Sequence, residues 1–142
     1  MKTTFVNPKA LERKWYILDA TDKVLGRFST EVANTLRGKN KPCFSPSHDC
    51  GDFVIIINAD KVKLSGDKLA TKKYYGHSQY PGGFKEETAA SLQERAPERV
   101  IQHAIAGMLP RTRIHKDIMS KLKIYAGSEH PHEAQKPVNL DI

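Results

Sequence analysis

Apolar positions along the chain change period several times, and each change marks an element. Trp15-Tyr16-Ile17-Leu18-Asp19 is an aromatic and β-branched run that predicts a first strand ending near Ala20-Thr21-Asp22. From Leu25 the apolar residues fall at Leu25, Phe28, Val32, Ala33 and Leu36, a helical stripe closed by Gly38. Phe53-Val54-Ile55-Ile56-Ile57-Asn58 is continuous instead of alternating, the pattern of a strand covered on both faces. Buried parallel strands need helices against their faces, so this run predicts an α/β layer fold.

Further along, Lys61-Val62-Lys63-Leu64-Ser65 alternates with period two and predicts a half-exposed strand, followed by a turn at Gly66-Asp67-Lys68. Lys72-Lys73-Tyr74-Tyr75 leads into His77 and a loop at Tyr80-Pro81-Gly82-Gly83. Pro97 opens a helix with apolar positions Val100, Ile101, Ala104, Ile105 and Met108, since proline fits a first turn where its missing N–H lacks a partner anyway. Pro110 stops that helix. A shorter helix is predicted from Ile114 to Leu122 and a strand from Lys123 to Ala126. The segment from about 128 to 142 is polar and broken by prolines, and reads as an extended arm.

Composition narrows the function. The 142 residues make one domain, and 23 Lys and Arg against 16 Asp and Glu give a formal charge of +7. Charge of that sign favours polyanionic partners. The longest apolar run, Phe53 to Ile57, is far short of the ~20 residues that span a bilayer, and the first residues lack the apolar core of a secretory signal. A cytoplasmic chain with reduced Cys43 and Cys50 is the expectation.

The cations cluster. Arg111, Arg113, Lys116, Lys121 and Lys123 follow the Gly107-Met108-Leu109-Pro110 helix end, with Ile114, Ile118, Met119 and Leu122 threaded between them and Asp117 as the one acid. Such a stretch is held to a core by one face and presents charge outward. Two more basic loops carry Arg37, Lys39 and Lys41, and Lys68, Lys72 and Lys73. Guanidinium and ammonium groups neutralise phosphates and release condensed counterions. The three segments together, sharing one flank of the molecule, are the expected RNA-binding surface. Tyr75, His77 and Tyr80 interleave with them as stacking candidates, while strand alternation turns one of Tyr74 and Tyr75 inward.

Other chemistries fit less well. Cys43, His48 and Cys50, with His130 and His132 far downstream, lack the paired spacing of a structural zinc site. The sequence has no GxxxxGK, GxGxxG, GxSxG or HExxH pattern. Asp49 and Asp52 beside His48 form a possible acid/base cluster, but Asp-Cys-Gly-Asp before a buried strand is also ordinary turn chemistry, the better reading. A metal- or nucleotide-dependent enzyme is therefore the weaker alternative. No metal, cofactor or small-molecule substrate is expected. Membrane-surface binding lacks a basic amphipathic helix long enough to lie in an interface.

Several blocks, in order, resemble the bacterial large-subunit ribosomal protein L13 family. They are Trp15-Tyr16-x-x-Asp19-Ala20, Leu25-Gly26-Arg27, Gly51-Asp52-Phe53-Val54-Ile55 and Lys73-Tyr74-Tyr75-x-His77-Ser78-x-Tyr80-Pro81-Gly82-Gly83. Gly107-Met108-Leu109-Pro110, Lys121-Leu122-Lys123-Ile124-Tyr125-x-Gly127 and His130-Pro131-His132-x-Ala134-Gln135-x-Pro137 continue the match. The resemblance implies one compact three-layer α/β domain over 1–142, a small central parallel or mixed sheet with helices on both faces, and no catalytic residue. It also implies a structural role in the large ribosomal subunit, bound to ribosomal RNA beside neighbouring ribosomal proteins and joining early in assembly. The family's loop after Met-Leu-Pro carries glycines where this chain has Thr112 and His115, so backbone with positive φ or close approach to RNA is harder there, while the cations Arg111 and Lys116 are kept.

Overall fold

The computed structural model describes residues 6–7 and 10–141. Four parallel strands form the central sheet in the order β5-β2-β1-β6, with β1 at Trp15–Asp19, β2 at Phe53–Ile57, β5 at Leu122–Ile124 and β6 at Val138–Asn139. A separate antiparallel hairpin pairs β3, Lys73–His77, with β4, Phe84–Thr88. The helices are α1 (Leu25–Arg37), α2 (Lys68–Thr71), α3 (Ala89–Arg95), α4 (Pro97–Met108) and α5 (His115–Ser120).

The strand order explains the layers. From β1 to β2 to β5 the chain steps one way across the sheet; from β5 to β6 it steps back. Parallel crossovers are right-handed almost without exception, so the first two connections share one face and the return lies on the other. Even-numbered strand residues Leu18, Val54, Ile56 and Leu122 accordingly pack with Phe28, Val32 and Leu36 of α1, Leu92 of α3, Ile101 and Ile105 of α4 and Ile118 of α5. On the odd side Trp15 stacks on Phe53 at 4.3 Å, and His132 lies 5.3 Å from Trp15 and accepts or donates at 2.8 Å to the Tyr125 hydroxyl. Ile55 is fully buried between these layers, as its continuous apolar run predicts.

The α/β class and the parallel sheet stand. The second cover is the return segment with its 3-10 turn at Glu133–Gln135, where helices on both faces were expected. Within the segment from 128 onward, β6 pairs with β1 and the Leu140 amide donates to the Ile17 carbonyl at 3.0 Å.

Gly38 ends α1 as its sequence predicts: at φ +78° its amide donates to the Asn34 and Thr35 carbonyls. Pro97 sits in the first turn of α4, and Leu109, extended before Pro110, stops it. Three readings change. Over 61–65 there is no strand but a 3-10 turn at Ala59–Lys61 and one bridge, Lys63 to Val24. The alternation is real, with Val62 buried and Lys63 exposed. The stretch that it bridges, at Val24, however, turns at once into α1. Met108 completes the stripe of α4 by spacing yet is 44% exposed, on the wall of an open cleft between α4 and α1. The late helix and strand are shorter than predicted, at His115–Ser120 and Leu122–Ile124. The β4 and α3 segments have no counterpart in the sequence reading.

Candidate nucleic-acid interface

The fold sorts the candidate cations by where carboxylates fall. Arg111, Arg113 and Lys116 are exposed and form no ion pair among the described residues. Ile114 half-buries and Ile118 buries beneath them, so the loop is anchored from below while its cations face solvent. Neither Thr112 nor His115 has a positive φ. The His115 amide donates to the Thr112 carbonyl at 3.0 Å, and its ring Nδ1 lies 3.2 Å from the Pro110 carbonyl. The loop thus follows an ordinary turn into α5 that needs no glycine.

Lys121 is different. It is 2% exposed, its ammonium donates to Asp49 at 2.5 Å and to the Leu36 carbonyl at 3.2 Å, and burial pushes its pKa down against the opposing pull of Asp49. It caps the C-terminal end of α1 from inside and cannot meet a phosphate, so it leaves the candidate set. Lys41 is drawn inward too, donating to Asp52 at 2.6 Å, while Asp52 also accepts from the Lys14 amide at 2.8 Å. Arg13 stands 3.5 Å from Asp49. Asp49 and Asp52 are therefore counter-charges in a structural network.

Arg37 is half-buried with its guanidinium 5.3 Å above the Phe44 ring, and Lys39 is exposed. Lys73 is exposed but bonded to Glu86, which raises its pKa. Lys68 and Lys72 are exposed, Lys72 lying 5.2 Å over the Tyr74 ring. Lys123 is half-buried on the sheet face turned from the helices. On the hairpin, Tyr74 packs against the core and Tyr75 is 65% exposed, the split that alternation requires. His77 and Tyr80 are exposed at its tip, where the His77 Nδ1 accepts from the Gln79 amide at 2.9 Å.

These groups do not make one continuous flank. Arg37 and Lys39 follow the C-terminal end of α1, whereas Lys68 and Lys72 line a cleft with Arg27 at its start. Thirteen helical residues separate those ends by roughly 20 Å. Lys116 joins a third group, a groove shared with Arg99, Gln102, His103 and His115. Arg27, Arg99 and His103 were not among the expected contacts. For Arg99 and His103 a signal was available, because Arg99, Gln102, His103 and Ala106 recur at one, four, five and eight opposite the apolar stripe of α4. Phe84 was missed with its strand; it is 61% exposed and stacks on Tyr75 at 5.8 Å.

No group of three His, Cys, Asp or Glu side chains among the described residues is placed to hold a metal, and Cys43 and Cys50 are free thiols. What the fold defines is a basic α/β protein whose unpaired cations stand on short loops and helix ends over a rigid core. By sequence comparison, the family model of ribosomal protein L13 matches residues 13–131. The chain belongs to that family. It is 54% identical to the large ribosomal subunit protein uL13 of Citrifermentans bemidjiense, over 100% of both chains. The uL13 of Aquifex aeolicus is 53% identical over 100% of this chain and 99% of its own, and that of Syntrophomonas wolfei 55% identical over 96% and 95%.

Proposed function

We propose that this protein is a structural constituent of the large ribosomal subunit in the cytoplasm, holding large-subunit ribosomal RNA mainly through phosphate contacts and joining early in assembly. Family membership supports the subunit role, and with it the absence of an enzymatic one. The observation that carries RNA contact is the loop of Arg111, Arg113 and Lys116, exposed and unpaired over a buried anchor. Phosphate contacts fix register on a folded RNA without reading bases, which suits a protein with many separated cations. Tyr75 and Tyr80, with Phe84, offer faces on which unpaired bases stack. Neighbouring ribosomal proteins complete the surroundings.

Two measurements test the reading. On a sucrose gradient of cell lysate the protein travels with large subunits. Purified protein binding deproteinised large-subunit RNA through ~6 phosphates loses on the order of 10³-fold in affinity between 50 and 200 mM salt. A flat salt response would remove the phosphate mechanism.

A further inference from the structure

The cleft at the start of α1 is a place where the fold concentrates charge that the sequence disperses. It encloses about 570 Å³ between α1, the 64–72 segment and the end of α4. Arg27 enters from α1, and Lys68 and Lys72 from the two ends of α2. Ser65 and Thr30 add hydroxyls, and Val24 and Met108, 40% and 44% exposed, form apolar walls.

Among the described residues no carboxylate lines it. Among the described residues Arg27 makes no ion pair, Lys68 reaches only the Ser65 hydroxyl at 3.1 Å, and Lys72 rests on the Tyr74 ring. Two acids, Asp22 and Glu31, share the adjoining pocket with Arg27; Asp22 is engaged with Lys63 at 2.7 Å, and Glu31 makes no ion pair with Arg27 among the described residues. Three cations lining one cleft, none of them in an ion pair among the described residues, give an anion seated there positive charge from two elements at once. Apolar walls beside the cations suit a ligand that is anionic on one side and flat on the other. Gly26 lies in this lining, and a Cβ added there would have open space, with no atom from the rest of the fold within 4 Å.

We propose that this cleft seats a single-stranded stretch of the ribosomal RNA, with Arg27, Lys68 and Lys72 on successive phosphates and a sugar or base against Met108 and Val24. The inference rests on the RNA-binding reading above and names a second contact for it, separate from the 111–116 loop.

The test compares four full-length proteins on deproteinised large-subunit RNA over a salt series: wild type, an Arg27→Gln/Lys68→Gln/Lys72→Gln triple, Gly26→Leu, and an Arg111→Gln/Arg113→Gln/Lys116→Gln triple. Thermal melts confirm that each folds. The cleft triple is expected to bind at least about tenfold more weakly, with a slope of log affinity on log salt shallower by about 2 to 3. Gly26→Leu, which fills the cleft and keeps every cation, is expected to weaken binding while leaving the slope of the remaining contacts. If both cleft variants bind as wild type while the loop triple loses affinity, RNA binding stands and the cleft contact is wrong. If wild type itself shows no salt-dependent binding, the broader reading fails first. If the cleft variants bind RNA normally yet fail to enter subunits in cells, the occupant is a neighbouring protein, which also overturns the proposal.

Discussion

Lys116 and Lys121 belong to the same basic stretch, five positions apart, and the fold gives them opposite tasks. Lys116 stands in solvent with no ion pair among the described residues, whereas Lys121 lies inside, held by Asp49 and the end of α1. Their immediate neighbours point the wrong way, since the adjacent acid, Asp117, follows Lys116 and apolar Leu122 follows Lys121. The difference comes from Asp49, 72 residues upstream, which the β2 approach carries to one lysine and not to the other. Positive charge in a sequence therefore states a capacity to meet an anion, and topology decides whether that anion is a carboxylate of the same chain.

The largest test of this contrast is Lys121→Ala. Removing one partner of a buried ion pair leaves an uncompensated charge and typically costs 3–5 kcal/mol; with Arg13 still beside Asp49, a loss of about 3 kcal/mol in urea unfolding is expected. Affinity for RNA, measured where the variant is folded, should not change. A variant as stable as wild type but weak on RNA would reverse the assignment. The pH response sharpens it. Burial lowers the folded pKa of Lys121 below the ordinary 10.5, so just under that value the unfolded chain holds a proton the folded chain has released. Stability therefore rises with pH in that interval for wild type, and Lys121→Met should lack the rise.

Gly51 tests the same junction through the backbone. A methyl group there would sit 1.6 Å from the Leu36 carbonyl oxygen and 2.9 Å from the Lys121 ammonium, so Gly51→Ala must push the strand approach off the end of α1. A destabilisation of about 2 kcal/mol or more is expected from such overpacking. If the variant melts with wild type, the packing of residues 50 and 51 on α1 is looser than described.

On the other side of the contrast, Arg111→Gln/Arg113→Gln/Lys116→Gln should change stability by no more than ~0.5 kcal/mol, as surface substitutions do. It should flatten the salt dependence of RNA binding by about 2 to 3 and reduce incorporation into large subunits on a gradient. A variant that sediments like the parent would remove this loop from the principal contacts.

Much of the fold was readable from period alone. The continuous run at 53–57, the stripe from Leu25 to Leu36 and the Gly38 and Pro97 boundaries all correspond to observed elements, because each is set by local sterics or by a face that must be buried. The 61–65 segment misled because alternation reports only which side chains face inward; a strand also needs a partner that stays extended. The hairpin strand β4 hid for a related reason: Phe84-Lys85-Glu86-Glu87 has little apolar pattern, since its outward face carries no core. Among the candidate contacts, Lys121 and Lys41 could not be sorted from Lys116 and Lys39. Their carboxylate partners looked like turn residues, and Asp49 is linked to Lys121 only through the parallel pairing of β2 with β5.

Lys73 is the intermediate case, and it offers the smallest and most discriminating effect. It is exposed like Lys116 but bonded to a carboxylate like Lys121, through Glu86 on the neighbouring strand. That bond raises its pKa, so the pair adds stability below the ordinary 10.5 that disappears as pH climbs through the higher folded value. On a solvent-exposed hairpin such a pair is screened and contributes little. Glu86→Gln should leave the fold intact and release an ammonium beside Tyr75. If the hairpin lies against RNA, affinity then rises a few-fold and the salt slope steepens by about 1. Lys73→Gln alone should lower affinity less than any single change at Arg111 or Arg113, because its charge is already neutralised. Should Glu86→Gln leave both affinity and slope untouched, the exposed rings of Tyr75 and Phe84 face a different neighbour, and the RNA surface is confined to the cations that no carboxylate of the chain can reach.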